Sequence, residues 1–167
     1  MLTNQKLEQG LGINFIEGIS MTIISDLKKK CQDRFGENLL SLVLFGSIVR
    51  GGATEGSDID GLVIVKGLEK DWRARDKITL ELEELGFRYE KTIHLTLVGE
   101  KDMDLSINFG SPLMFEIYDA NEVIFDKNNF FEKSMAKFEK NMKKWKAKKT
   151  AYGEWDVPGL AVISSGT

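Results

Sequence analysis

The chain has 167 residues, 42% of them hydrophobic and 29% charged, with a formal net charge of −3; this is the composition of an ordinary soluble domain, with room for one core and too few residues for two comfortable ones. No apolar run approaches the ~18–20 residues of a membrane helix. Met1 to Asn14 shows no basic start followed by an apolar stretch and a small-residue cleavage site, so the chain is expected to stay in the cytoplasm. One cysteine and one histidine exclude an internal disulfide and a Cys/His zinc cluster, which leaves oxygen ligands for any metal.

In chain order, Ile16, Ile19, Ile23, Leu27 and Cys31 recur at three- and four-residue steps and predict an amphipathic helix over about 15–35, with Gly36 as its stop. Cys31 falls on the apolar stripe, a packing position, and no activating base stands near it in sequence. Leu39 to Phe45 and Ile59 to Val65 are short apolar runs that read as buried strands, joined through Gly46, Gly51, Gly52 and Gly56 by a structured turn. Ala74, Ile78, Leu82 and Leu85 predict a helix over 69–85 closed by Gly86. From Tyr89 to Val98, Thr92, His94 and Thr96 alternate with Ile93, Leu95 and Leu97, the pattern of a third strand.

A short helix is expected after Ser111-Pro112 and a brief fourth strand at Val123-Ile124-Phe125. The order of elements is mixed α and β. Phe131, Met135, Phe138, Met142 and Trp145 mark one face of a last helix over about 128–148, a stripe that reads as core or as a partner surface. Residues 127–149 hold nine lysines against Glu132 and Glu139, which leaves the rest of the chain acidic. Such a stretch is a solvated helix face, or a surface for RNA or a nucleotide phosphate. The tail carries Trp155 and Pro158, and its end, Ser164 to Thr167, is expected to be disordered.

The chemistry concentrates between Leu44 and Asp60. A strand delivers the chain to Gly46, where backbone can approach a ligand closely, and Ser47 opens a short helix whose free N–H groups suit a phosphate. Asp58 and Asp60 stand two apart at a strand entrance, so their carboxylates share one face. Like charges that close are tolerable when a divalent cation bridges them, and hard oxygen ligands suit Mg²⁺ or Mn²⁺ held jointly with substrate phosphates.

Buried strand, Gly46-Ser47, Arg50-Gly51, a ten-residue spacer from Ile48 to Ser57, and Asp58-Ile59-Asp60 running into an apolar strand together resemble the signature of the nucleotidyltransferase superfamily that includes DNA polymerase β. The likeness is to its small prokaryotic and archaeal minimal members. It implies an α/β (α+β) nucleotidyltransferase fold, a mixed β-sheet flanked by helices, with a C-terminal helical extension. The organisation expected is an N-terminal segment at 1–14, the nucleotidyltransferase domain at 15–126, a basic amphipathic helix packed on it at 127–149, and a tail at 150–167.

The resemblance further implies that Gly46, Ser47, Arg50 and Ser57 bind the nucleotide and that Asp58 and Asp60 hold Mg²⁺ and carry catalysis. Arg50 would brace the loop or touch a phosphate, or else pair with Asp58 or Glu55. Active relatives of this superfamily place a third carboxylate on the following strand. Here Lys91 to Val98 contains none, and the inward position falls on His94, with Thr96 next to it and Asp102 and Asp104 beyond the strand. Three arrangements follow: His94 replaces the carboxylate as ligand or proton acceptor, Asp58 and Asp60 hold the metal alone with slow chemistry, or the domain binds a nucleotide without efficient turnover. The implied function is transfer of a nucleoside monophosphate from a nucleoside triphosphate to a hydroxyl of a protein, an RNA or a small molecule. The alternative is a weakly active, antitoxin-like or regulatory subunit acting through a partner such as a HEPN-type toxin.

Overall fold

The computed structural model describes residues 21–54 and 56–160; the N-terminal segment, Ile16, Ile19 and the last residues from 161 lie outside them. Helix α1 (Met21–Phe35) buries Ile23, Leu27 and Cys31, as the stripe predicts, and Gly36 ends it at φ +54. A 3-10 turn at Gly36–Asn38 leads into β1 (Leu39–Phe45), then come α2 (Ser47–Arg50) and β2 (Ile59–Val65). The chain continues through α3 (Trp72–Glu83), α4 (Leu85–Arg88), β3 (Ile93–Gly99), α5 (Glu100–Phe109), α6 (Pro112–Asp119) and β4 (Asn121–Asp126). It ends in α7 (Phe130–Lys144) and a short pairing of β5 (Lys148–Lys149) with β6 (Trp155–Asp156).

The main sheet has the order β3-β2-β1-β4. β1 runs antiparallel to β2 and β4, and β2 runs parallel to β3, so the sheet is mixed and helices cover both faces. β1 and β2 are apolar almost without interruption because each is buried on both sides. On one face Leu42, Leu44, Ile59, Val63 and Ile93 pack with Ile23, Leu27 and Cys31 of α1 and Leu82 of α3. On the other, Val43, Phe45, Leu62 and Ile64 meet Met103 and Ile107 of α5, Phe115 of α6 and Phe138 of α7. Among the described residues no helix is long and apolar enough to cross a membrane.

Three expectations change. The helix expected over 69–85 is two, α3 and α4, and Gly86 lies inside α4 rather than ending it. Gly86 is buried, and a Cβ there would fall on the Lys91 carbonyl oxygen, so its small size serves a close backbone approach and not a helix cap. The chain needs that turn before it can enter the sheet, and strand pairing therefore starts at Ile93, not Tyr89. The last helix begins at Phe130 because Asn128 and Asn129 take left-handed conformations (φ 53 and 56), which asparagine tolerates better than most residues. Asp126 on β4 supplies the missing cap: its carboxylate accepts from Phe131 N (2.8 Å), Glu132 N (3.1 Å) and the buried Ser41 hydroxyl (2.7 Å). In the tail, Trp155 stacks against Phe115 at 5.5 Å between ring centroids.

The aromatic stripe of α7 is core. Phe138 is fully buried and meets Phe115 edge-on at 5.0 Å, Tyr118 at 5.9 Å and Trp145 at 6.1 Å between centroids. Phe138→Ala should cost about 3–5 kcal/mol in urea unfolding, the range for removing a buried aromatic ring; a loss within ~0.5 kcal/mol would mean that α7 does not dock on the sheet.

Candidate functional site

The β1–β2 register places Phe45 opposite Asp60, so the residue after Phe45 must pass the Asp60 side chain. That residue is Gly46, at φ +78, and a Cβ on it would stand 2.5 Å from Asp60 Oδ2. Both the left-handed conformation and the space require glycine. The chain then coils into α2, where Val49 N and Arg50 N donate to Gly46 O at 3.2 Å each and Ile48 anchors the turn in the core. Ser47 is exposed in front of the sheet. Ser57 closes the following turn: its Oγ accepts from Thr54 N at 2.8 Å, and its N–H donates to Thr54 O at 2.9 Å. This delivers Asp58 to the mouth of β2.

The parallel pairing of β2 with β3 sets His94 beside Asp60. His94 Nε2 lies 3.2 Å from Asp58 Oδ2, with both side chains about half exposed. Thr96 follows on the same face, half-buried. Burial raises the Asp60 carboxyl above its ordinary range; His94 opposes this shift, and the negative charges of Asp58 and Glu116 add to it. The two carboxylates therefore sit in a negative potential that a cation would relieve. Among the described residues no group of three His, Cys, Asp or Glu is gathered to hold a metal ion. A divalent cation would rest on Asp58 and Asp60 and complete its shell with phosphate and water oxygens, which is the habit of Mg²⁺.

Arg50 pairs with neither Asp58, as one expectation had it, nor any other aspartate. Its Nη2 lies 3.9 Å from Glu116 Oε1, and Glu55 is outside the described residues. Glu116 comes from α6, across the sheet, and is the site residue that sequence reasoning missed. One signal was present: a single carboxylate inside the apolar run Leu113-Met114-Phe115-Glu116-Ile117-Tyr118. Asp102 and Asp104 do not fold back to the site. Asp102 accepts from Arg75 Nη1 at 2.9 Å and Gly99 N at 3.3 Å, and Asp104 pairs with Lys137 at 2.5 Å. Cys31 is buried, and burial pushes its thiol up to about 12, so it is an inert core residue.

The turn after β1, the two carboxylates at the start of β2 and the imidazole of β3 thus meet at one end of the sheet. The chain belongs to the nucleotidyltransferase domain family, whose model matches residues 24–152. A relative from Methanocaldococcus jannaschii, named "putative protein adenylyltransferase", is 34% identical over 124 residues, which is 74% of this chain and 84% of the relative. Among solved structures, the spectinomycin adenyltransferase from Enterococcus faecialis with ATP and spectinomycin superposes with a TM-score of 0.51 at 17% identity, covering 68% of this chain and 59% of that chain. It is alike in fold. A chain from a Shewanella oneidensis complex of tri-AMPylated HEPN toxin with MNT antitoxin aligns with a TM-score of 0.49 at 15% identity, over 88% of this chain and 98% of that one.

Because the folded Asp60 is raised above its ordinary value of 3.8, its charge destabilises the fold wherever it is ionised, and that penalty fades as pH falls towards the unfolded value. Asp60→Asn, without nucleotide, should therefore raise the melting temperature at neutral pH. The gain should shrink as pH is lowered through the carboxylate range; an unchanged or lower melting temperature at neutral pH would contradict the crowding of charge at this residue.

Proposed function

We propose that this chain transfers a nucleoside monophosphate, AMP from ATP in the first instance, to a hydroxyl on an acceptor, with release of pyrophosphate. The observation that carries this reading is the convergence of Gly46-Ser47, Asp58 and Asp60 where β1 ends and β2 begins, with Asp60 packed against the turn that would hold the triphosphate. The family and the name of the Methanocaldococcus relative support adenylyl transfer, and that name favours a protein acceptor over RNA.

In this reading the backbone of Gly46 and the Ser47 hydroxyl seat the triphosphate. Arg50, held by Glu116, faces its phosphate charge, and Ser57 acts at one remove by holding the turn before Asp58. Asp58 and Asp60 hold Mg²⁺ or Mn²⁺. Such a cation, when bound, neutralises the phosphates and favours departure of pyrophosphate. His94 orients Asp58 through their hydrogen bond and stands on the side from which an acceptor hydroxyl would come. β3 brings His94 and no carboxylate beside Asp60, so a cation would rest on two carboxylates, which favours slow transfer.

Titration calorimetry of ATP with Mg²⁺ separates binding from turnover. Asp58→Ala/Asp60→Ala should lose the Mg²⁺-dependent part of the ATP affinity, and affinity equal to wild type would remove both residues from the site. In an AMP-transfer assay His94→Ala should lower the rate by about 10–100-fold, the usual cost of losing a group that orients a metal ligand. Full activity in that variant would leave His94 without a role.

A further inference from the structure

Folding alone gives little reason for a carboxylate at position 116. On α6, Glu116 stands among Met114, Phe115 and Ile117, all buried. Its one ion-pair partner among the described residues is Arg50 at 3.9 Å, and both side chains are a little under half exposed. A pair so exposed adds only ~0–1 kcal/mol to stability. The pair does stand on the side of the sheet where the site opens. Along β2, Ile59 and Val63 pack with α1 and Leu62 with α6, so Asp60, two residues before Leu62, faces the α6 side. Between Ile93 and Leu95, which pack on the α1 side, His94 points the same way as Asp60.

The two partners differ in how they are held. Glu116 is carried by a seated helix: Trp155 of the C-terminal hairpin lies 5.5 Å from Phe115 and 6.4 Å from Tyr118 between ring centroids, and Lys149 pairs with Asp119 at 2.5 Å. Arg50 ends the four-residue α2 that begins at Ser47, and Gly51 follows it in a left-handed conformation. A long side chain with many rotamers thus meets a fixed carboxylate.

We propose that Glu116 is a positioning residue of the nucleotide site, tethering the Arg50 guanidinium on the face of the sheet where the triphosphate arrives. This rests on the nucleotide site of the proposed function, whose phosphates Arg50 would meet. At 3.9 Å the contact is an ion pair and not a hydrogen bond. It is made through Nη2, which leaves the Nε and Nη1 donors of the guanidinium fork for phosphate oxygens. Ordering the guanidinium in advance lowers the entropy lost when the triphosphate binds. Glu116 without Arg50 does the reverse, since a bare carboxylate repels phosphate. The effect of Glu116 on nucleotide binding therefore changes sign with the presence of Arg50.

Titration calorimetry of ATP with Mg²⁺ on a double-mutant cycle of the full chain tests this. Glu116→Gln should weaken ATP binding by about three- to tenfold, and Arg50→Ala by at least as much. In the Arg50→Ala background, Glu116→Gln should leave ATP affinity equal or raise it, because only repulsion is left to remove. Glu116→Asp keeps the charge but draws it back by one methylene, and should fall between wild type and Glu116→Gln. All these variants should melt within ~3 °C of wild type, as loss of an exposed pair implies. In AMP transfer the loss should appear in KM for ATP, with kcat changed less. ATP affinity unchanged or raised by Glu116→Gln alone would overturn the proposal. So would a loss of the same factor with and without Arg50, since Glu116 would then act by another route. If the wild type binds no ATP, the proposed function has failed and the role of Glu116 falls with it. If the wild type binds ATP and Glu116→Gln binds it equally, only the role of Glu116 has failed.

Discussion

The pairing of Phe45 with Asp60 across β1 and β2 is the constraint on which the site depends. It forces the turn after β1 past a carboxylate, leaves room only for glycine at position 46, and sets the start of α2 and the two aspartates at the same end of the sheet. A register slip of one residue would send Asp60 to the opposite face of the sheet and replace it with an apolar neighbour. The register in turn is secured by the apolar residues of both strands, which are buried on both faces and cannot slip without exposing the core. The hydrophobic effect thus fixes the position of two charges that electrostatics alone would separate.

The two halves of the core bring different parts to this edge. α1, α3 and α4 close one face. α5, α6 and α7 close the other, and α6 carries Glu116 to Arg50. The aromatic cluster of Phe115, Phe138, Trp145 and Trp155 holds α6 in place, and Asp126 ties the start of α7 to the sheet. The lysines of α7 are partly engaged in the fold: Lys137 pairs with Asp104, and nearby Lys127 and Lys149 pair with Glu37 and Asp119. The basic character of this segment is therefore in part structural. It lies on the other side of the sheet from α3.

Much of this was legible in the sequence where the information is local. β1, β2, the glycine-bounded turn and the Asp58-Ile59-Asp60 entrance could be read from spacing because adjacent strands joined by a short turn pair with each other. His94 stands beside Asp58 and Asp60, since alternation along β3 does not depend on where the strand begins. Positions with two physical uses were harder. Gly86 could stop a helix or admit a close carbonyl, and only the packing of Lys91 decides between them. Asn128 and Asn129 look like helix residues until their left-handed backbone is seen. Glu116 was harder still: a lone carboxylate in the apolar run Leu113 to Tyr118 marks it as unusual, but its pairing with Arg50 depends on how α6 docks, a long-range outcome of aromatic packing.

The central claim is that a nucleoside triphosphate sits over Gly46-Ser47 with its cation on Asp58 and Asp60. A crystal structure of the chain with Mg²⁺ and a non-hydrolysable ATP analogue tests this directly. The triphosphate is predicted against the Gly46-Ser47 turn, with the cation bonded to both aspartates and the α-phosphate facing His94. A nucleotide bound elsewhere on the protein, or a cation that touches neither aspartate, would contradict the account.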